Sequence, residues 1–163
     1  MKSCATGNRR SIILHRHSAV TSGSRSPGEE ISMFIQWKES FATGIAEFDD
    51  HHRKLIDLLN SSYFMIIEGN SQEELQQLLD GLLDYTRYHF EAEEAMMRAK
   101  DYRKLDEHMI EHINFTHGIL SFARQARAGQ QFLPIEIFDF VRNWFVMHVV
   151  TSDAEMSRAV RFR

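Results

Sequence analysis

From Met33 onward, apolar residues recur at helical spacing in four long segments, and this periodicity most constrains the fold. The segments predict helices over about residues 47–67, 72–99, 103–127 and 134–156, without the alternation typical of strands. Their boundaries carry two helix-ending glycines, a capping box and a helix-starting proline, namely Gly69, Gly129, Ser71 with Glu74, and Pro134. Because the connections are short, we predict an all-α fold, an antiparallel up-down-up-down four-helix bundle.

Seven imidazole and carboxylate side chains interrupt the apolar stripes of these helices. They are His52, His89, Glu93, His108, His112, His148 and Asp153. A buried polar group without a partner costs about 1–3 kcal/mol, whereas a bound metal turns such groups into ligands. Imidazole and carboxylate without thiolate suit iron, zinc or manganese, and they argue against an iron–sulfur cluster. We therefore predict a di-metal site in the core of the bundle.

The number of these ligands indicates two metal ions with one open position. Two octahedral ions offer about twelve coordination positions. Five imidazoles, two bridging carboxylates and one bridging oxygen fill about eleven of them. A di-iron site with a single open position is suited to bind one small molecule at one of its metals.

The order of these motifs resembles that of a hemerythrin, specifically a short single-domain bacterial one. The matching stretches lie within about residues 37–156, and they are Gly44–His52, His89–Glu94, His108–His112, and Trp144–His148 with Asp153. The resemblance implies one iron held by His108, His112 and His148. It implies a second iron held by His52 and His89, where dioxygen would bind. Glu93 and Asp153 would bridge the two ions together with an oxo or hydroxo group.

Aromatic side chains near the ligand positions are candidates for the walls of an apolar pocket. They are Phe48, Phe90, Trp144 and Phe145. Phe145 precedes His148 by about one turn, at a position where the family often has a leucine. Simple core packing is the alternative role for each of the four rings.

Two adjacent residues compete with the predicted ligands. His51 precedes His52, but only His52 lies on the apolar stripe of its helix. Glu94 follows Glu93, but only Glu93 stands four residues after His89 and on the same helix face. We therefore predict His52 and Glu93 as the ligands.

The spacing of Asp153 does not fit an ordinary helix. Asp153 lies five residues after His148, which is about 140° around an ideal α-helix. The two side chains therefore need a local change to share a face. We predict either a widened, π-like turn near residues 150–152 or an aspartate that approaches from a different angle.

The charge is unevenly distributed along the chain. Residues 1–30 carry five basic and two acidic side chains, within a net charge of −4 for the whole sequence. We predict a disordered, basic, Ser-rich tail over residues 1–32, with translation beginning at Met33 as the alternative, and a folded domain over residues 33–163. The acidic domain argues against nucleic-acid binding.

Cysteine content and hydropathy bear on the compartment. Cys4 is the single cysteine, which favours a reducing compartment. No apolar run approaches the roughly 20 residues that a membrane helix needs. These features predict a cytoplasmic protein that does not interact with membranes.

The resemblance implies reversible binding of dioxygen for storage, delivery or sensing, with no enzymatic activity. An oxygen-consuming enzyme is a candidate recipient. The first alternative is a di-iron oxidoreductase acting on nitric oxide or peroxide, or an iron-handling protein. A regulatory module and a metal-free bundle are weaker alternatives, since the first usually carries an output domain and the second leaves the seven polar residues unexplained.

Overall fold

The computed structural model describes residues 35–131 and 133–162. Within these residues the elements are all helical: a 3-10 turn (Glu39–Phe41), α1 (Ala46–Glu68), α2 (Gln72–Ala99), α3 (Leu105–Arg127), α4 (Leu133–Trp144), a π-helical segment (Phe145–Asp153) and α5 (Ala154–Arg161). The last three follow one another without a break and form the fourth helix of the bundle. Helices α1 and α3 each pack against α2 and against this fourth helix. The predicted antiparallel four-helix bundle is therefore confirmed, while the whole of the predicted tail, residues 1–32, lies outside the described residues.

The helix boundaries follow the predicted capping residues closely. Ser71 accepts a hydrogen bond from the Glu74 backbone N–H at 3.1 Å, and the Glu74 carboxylate accepts one from the Ser71 N–H at 2.7 Å. This reciprocal capping box starts α2 at the predicted residue. Gly69 and Gly129 adopt positive φ values of 82° and 75°, which terminate α1 and α3 at little steric cost. Pro134 lies in the first turn of α4.

The fourth helix continues to Arg161, five residues beyond the predicted end near residue 156. The apolar side chains of Met156 and Val160 explain the extension, because both are buried against Phe48 and Met97. Burial of an apolar side chain stabilises a protein by roughly 1.5–3 kcal/mol. These contacts therefore stabilise about one and a half further helical turns that the apolar stripe of residues 134–156 did not reveal.

The apolar core consists of two clusters with the seven polar residues between them. The smaller cluster contains Phe48, Met97, Met156 and Val160, and the larger one fills the rest of the bundle. Along α1, His52 lies between Phe48 of the smaller cluster and Leu55 of the larger one. Glu93 and Asp153 likewise lie between a residue of the larger cluster and a residue of the smaller cluster along their helices. The polar residues thus form a layer that is closed on both sides by apolar side chains.

The π-helical segment accounts for the spacing of Asp153. A backbone N–H in a π-helix bonds the carbonyl five residues earlier, so residues five apart share a face. His148 and Asp153 are five apart, and both are buried within this segment. The Thr151 hydroxyl donates a shared hydrogen bond to the carbonyls of Val146 at 3.0 Å and Met147 at 2.8 Å. This bond helps to satisfy carbonyl groups whose α-helical hydrogen bonds the wider turn disrupts. The predicted widened turn is confirmed, although it begins earlier, at Phe145.

None of the helices within residues 35–131 and 133–162 combines the length and apolar character that a membrane span requires.

Candidate metal centre

The structure brings the seven predicted ligands together in two adjoining groups. The three-histidine group contains Glu93, His108, His112 and His148, and the two-histidine group contains His52, His89, Glu93 and Asp153. Within each group, one ligand atom from every residue lies within 4.8 Å of the others. All seven side chains are buried, and the most exposed of them, His108, retains only 3% of its surface.

Asp153 faces both groups with different oxygens. Its Oδ1 lies 3.0 Å from Nε2 of His148 and 3.2 Å from Nε2 of His108. Its Oδ2 lies 3.1 Å from Nε2 of His52 and 4.0 Å from Nε2 of His89. One carboxylate that directs each oxygen toward a separate set of imidazoles has the geometry expected of a bridging ligand.

Glu93 is the residue common to both groups. Its Oε2 lies 3.3 Å from Nε2 of His108, 3.3 Å from Nε2 of His112 and 3.7 Å from Nε2 of His89. One Glu93 oxygen therefore faces imidazoles of both groups. Its other oxygen, Oε1, is buried without a hydrogen-bond partner.

Several buried ligand atoms have no hydrogen-bond partner despite these short distances. Nε2 of His52, Nε2 of His89 and Oε1 of Glu93 belong to this set. Each such buried atom would cost about 1–3 kcal/mol. A metal cation would relieve this cost, because lone pairs that converge on one point can all bind it. The donor set therefore fits the di-iron centre that the sequence resemblance implies, with imidazoles and carboxylates in the proportions that iron accepts.

Two carboxylates outside the seven residues orient histidines of the three-histidine group. Glu94 lies 3.1 Å from Nδ1 of His112, and Glu111 contacts Nδ1 of His148. A carboxylate on the outer ring nitrogen fixes the tautomer that leaves Nε2 free for a metal. Nδ1 of His52 and His89 has no hydrogen-bond partner among the described residues. The three-histidine group is therefore the more firmly held of the two.

Sequence reasoning missed the role of Glu111 and considered Glu94 only as a competing ligand. Glu111 lies on α3 between His108 and His112, so its position next to a metal-binding pair is visible in the sequence. Its contact with His148 depends on the neighbouring π-helical segment, and no sequence pattern reveals that contact.

Burial and charge give the histidines different protonation states in the metal-free protein. Burial lowers the pKa of His89 to about 3, against the opposing charges of Glu93 and Asp153. Burial also acts to lower the pKa of His108, but the Asp153 and Glu93 carboxylates raise it to about 9. For His148, the same carboxylates and Glu111 overcome burial and raise the pKa to about 10. Without metal at neutral pH, His108 and His148 are therefore protonated and His89 is neutral.

Aromatic rings pack directly against the imidazoles. Phe90 stacks on His112 with ring centroids 3.8 Å apart, and Trp144 stacks on His148 at 4.2 Å. Phe48 meets His89 edge-on at 6.1 Å. Phe145 is buried, and its ring packs edge-on against Phe41 at 5.1 Å.

Tyr85, which sequence reasoning did not single out, lies in the same layer. Its ring centroid is 4.7 Å from that of His89, and its side chain is fully buried. The hydroxyl has no hydrogen-bond partner among the described residues. Burial, with the charges of Asp153 and Glu93, raises the pKa of this phenol well above its ordinary value. Its position four residues before His89 was an available sequence signal.

His51 belongs to neither group. Its ring packs against Tyr88 with centroids 4.7 Å apart and against His89 at 5.5 Å. Burial lowers the pKa of its imidazole. Among the two adjacent histidines, the structure thus places His52 in a candidate metal group and His51 in the aromatic packing beside it.

Comparison with curated proteins finds relatives that match this chain over most of their own length. A bacteriohemerythrin of Clostridium acetobutylicum is 31% identical over 127 residues, covering 76% of this chain and 98% of that protein. A bacteriohemerythrin of Methylococcus capsulatus is 30% identical, covering 69% and 86%. Myohemerythrin-1 of Phascolopsis gouldii is 31% identical, covering 72% and 87%.

Solved structures and a family model agree with these relatives. The crystal structure of wild-type hemerythrin aligns with a TM-score of 0.70 at 28% identity, covering 77% of this chain and 97% of that one. A leucine-to-phenylalanine mutant aligns with a TM-score of 0.71 at 28% identity, covering 78% and 98%. The model of the hemerythrin HHE cation-binding domain matches residues 43–160, which include all seven predicted ligands. The chain therefore belongs to the hemerythrin family.

Proposed function

We propose that this protein binds dioxygen reversibly at two iron ions, for storage, delivery or sensing. Hemerythrins are non-enzymatic proteins that bind dioxygen at a di-iron centre. The observation that carries the proposal is the position of Asp153, whose two oxygens face separate sets of imidazoles. In a delivery role, the recipient would be an oxygen-consuming enzyme in the cytoplasm.

Each of the seven side chains has a distinct part in this proposal. His108, His112 and His148 would hold one iron, and His52 and His89 would hold the other. Glu93 and Asp153 would bridge the ions together with an oxo or hydroxo group. The ion with two imidazoles would keep one position open for dioxygen. When bound, the iron pair supplies two electrons that can pass to dioxygen and return on its release.

The surroundings of the two-histidine group favour reversible binding over chemical turnover. Phe48 and Tyr85 both pack against His89, and neither side chain is exposed to solvent. These rings exclude water, which would slow irreversible oxidation of a bound metal. Burial raises the pKa of Tyr85 in the metal-free protein, so its hydroxyl keeps its proton and can donate a hydrogen bond.

Anaerobic reconstitution tests the proposal directly. Metal-free protein is loaded with ferrous iron, exposed to air and then deoxygenated, while iron content and the visible spectrum are recorded. We expect two iron ions per chain and a visible charge-transfer band that appears with oxygen and disappears on its removal. A band that persists after deoxygenation, or turnover of nitric oxide or peroxide, would favour the enzyme alternative.

Metal binding at neutral pH should release protons from His108 and His148. Both are protonated in the metal-free protein, with pKa values of about 9 and about 10, and a protonated imidazole cannot bind a metal. We therefore expect cobalt(II) affinity to keep rising with pH above 7.5, where histidines of ordinary pKa are already neutral. Titration calorimetry in buffers of different ionisation enthalpy should give about two protons released at pH 7.5. Release of fewer than one proton would contradict the assigned protonation states.

The same two histidines predict the pH dependence of the metal-free protein. Their pKa values lie above the value of about 6.5 expected in the unfolded chain. Their contribution to stability is therefore complete below pH 6.5 and is lost as the pH rises toward 10.

Replacing Tyr85 by phenylalanine should leave the metal-free protein as stable as wild type or more stable. The substitution removes a buried hydroxyl that lacks a hydrogen-bond partner and preserves the ring that packs against His89. We expect the free energy of unfolding in urea to rise by zero to about 1 kcal/mol. Tyr88→Phe, at a tyrosine that packs on His51, is the control and should change little. A loss above about 1 kcal/mol in Tyr85→Phe would mean that the hydroxyl has a stabilising partner.

A further inference from the structure

A surface pocket of about 290 Å³ lies beside the three-histidine group. Its buried part is lined by His108, together with Glu111 and Ser152, which are partly exposed. Its outer part is lined by Lys104, Glu107 and Glu155, which are exposed. We refer to this feature, formed by Lys104 and α3 together with the π-helical segment and α5, as the acidic pocket.

The acidic pocket connects solvent with two of the three imidazoles in the three-histidine group. His108 lines the pocket, and its Nε2 lies 3.3 Å from Glu93 and 3.2 Å from Asp153. Glu111 also lines the pocket, and its carboxylate contacts Nδ1 of His148. A solute in the pocket is therefore separated from the other candidate ligands by the side chain of His108 or of Glu111.

The charge of the pocket suits a cation rather than dioxygen. Three carboxylates, those of Glu107, Glu111 and Glu155, outnumber the two cationic side chains of the pocket, Lys104 and the protonated His108. Lys104 forms an ion pair with Glu155 at 2.6 Å, and Glu111 contacts Nδ1 of His148, so the exposed Glu107 carboxylate is the one available to a solute. A negatively charged concave surface raises the local concentration of divalent cations. Neutral dioxygen gains nothing from this charge.

We propose that the acidic pocket is the route by which metal ions reach the buried centre. Glu107 captures the hydrated cation at the surface, and Glu111 supplies the last carboxylate before the ion reaches His108 and His148. The Lys104–Glu155 ion pair limits the negative charge at the opening and so limits the rate. This inference rests on the proposed metal centre and adds the path by which it is filled.

Cobalt(II) uptake by the metal-free protein tests the route, because oxygen-free cobalt(II) gives visible bands without redox chemistry. Stopped-flow traces at low ionic strength compare Glu107→Gln with Asp106→Asn. Asp106 is the adjacent exposed acid in the first turn of α3 and does not line the pocket. Loss of a unit charge about 8 Å from a divalent ion in water changes a rate about fivefold. We expect Glu107→Gln to load about threefold to fivefold more slowly than wild type, and Asp106→Asn to load at the wild-type rate.

A second pair of variants predicts a change of opposite sign. Lys104→Gln removes the positive charge from the pocket, whereas Arg103→Gln removes one from the adjacent exposed residue outside it. We expect Lys104→Gln to load about threefold faster, Arg103→Gln to load at the wild-type rate, and the differences to shrink at 0.15 M or more of salt. Every variant should still bind two cobalt ions at equilibrium.

The outcomes separate the route from the centre itself. Equal rates in Glu107→Gln and Asp106→Asn, with two ions bound by each, would overturn the route and leave the proposed centre intact. Equal slowing of both variants would also overturn it, since it would show an effect of overall charge. Failure of the wild-type protein to bind cobalt would instead contradict the proposed metal centre.

Discussion

Exchanging Ser152 and Asp153 should reduce the bound metal from two ions to at most one per chain. In a regular α-helix, the residue four positions after His148 would share its face, so an aspartate at position 152 would be well placed. In the π-helical segment, Asp153 occupies that face instead. Asp153 is buried, and its Oδ1 lies 3.0 Å from Nε2 of His148. Ser152 instead lines the acidic pocket. The double variant Ser152→Asp with Asp153→Ser keeps the composition and moves the carboxylate out of the buried layer.

The exchange should also destabilise the metal-free protein. His108 and His148 are protonated there, and Asp153 is the residue whose oxygen lies within 3.2 Å of both rings. Breaking a buried ion pair by removing one partner costs about 3–5 kcal/mol. Metal content by atomic absorption and urea unfolding of the metal-free form would measure the two effects.

A matched control lies in the same π-helical segment. Val146 and Met147 are both exposed, at 51% and 71%, and neither belongs to a candidate metal group. Exchanging these two residues should leave the metal content at two ions. Should the Ser152/Asp153 exchange also retain two ions, the segment must be able to rewind as an ordinary α-helix, and the π geometry would not be needed for the centre.

The fold could be predicted from the sequence because its local signals agree with one another. Apolar stripes gave four helices, and the Ser71–Glu74 capping box with Gly69 and Gly129 marked where three of them begin or end. The predicted end of the fourth helix, near residue 156, was wrong for a specific reason. Met156 and Val160 pack against Phe48 and Met97 of other helices, and that contact is not visible within a single helical stripe.

The layer of candidate ligands could be predicted because imidazoles and carboxylates rarely occupy an apolar stripe without a partner. Asp153 was informative because its spacing did not fit an α-helix, and this conflict predicted either a widened turn or a different angle of approach, of which the structure has the widened turn. The contacts of Glu111 and Tyr85 could not be predicted in the same way. Glu111 reaches His148 across an interface between helices, and the isolation of the Tyr85 hydroxyl depends on every ring around it.

Replacing Glu93 by glutamine should have the other large effect, because Glu93 is the residue common to both candidate metal groups. The substitution preserves the shape of the side chain and removes its charge. We expect fewer than one tightly bound metal ion per chain, since each group loses its shared anionic ligand. Metal content after dialysis against a weak chelator would measure this loss, with two ions expected in the wild-type protein.

In the metal-free form, Glu93→Gln should lower the free energy of unfolding at pH 7 by about 3 kcal/mol. Burial and the charge of Asp153 act to raise the pKa of Glu93, but its histidine neighbours lower it from 4.5 to about 2. A shift of one pKa unit corresponds to about 1.4 kcal/mol of free energy. A lowered pKa stabilises the folded state above the unfolded value of about 4.5, and this contribution is lost as the pH falls toward 2. The difference between wild type and variant should therefore shrink below pH 4.5.

Glu94→Gln is the control for this prediction, because it removes the same charge at the adjacent residue. Glu94 orients His112 through Nδ1 at 3.1 Å and belongs to neither candidate group. Loss of such an orienting carboxylate typically weakens metal binding by about 10-fold to 100-fold, so this variant should still bind two ions when metal is in excess. Equal loss of metal from both variants would mean that charge near α2, rather than ligation by Glu93, holds the ions. A complete loss confined to Glu93→Gln would instead show that one carboxylate serves both metal positions.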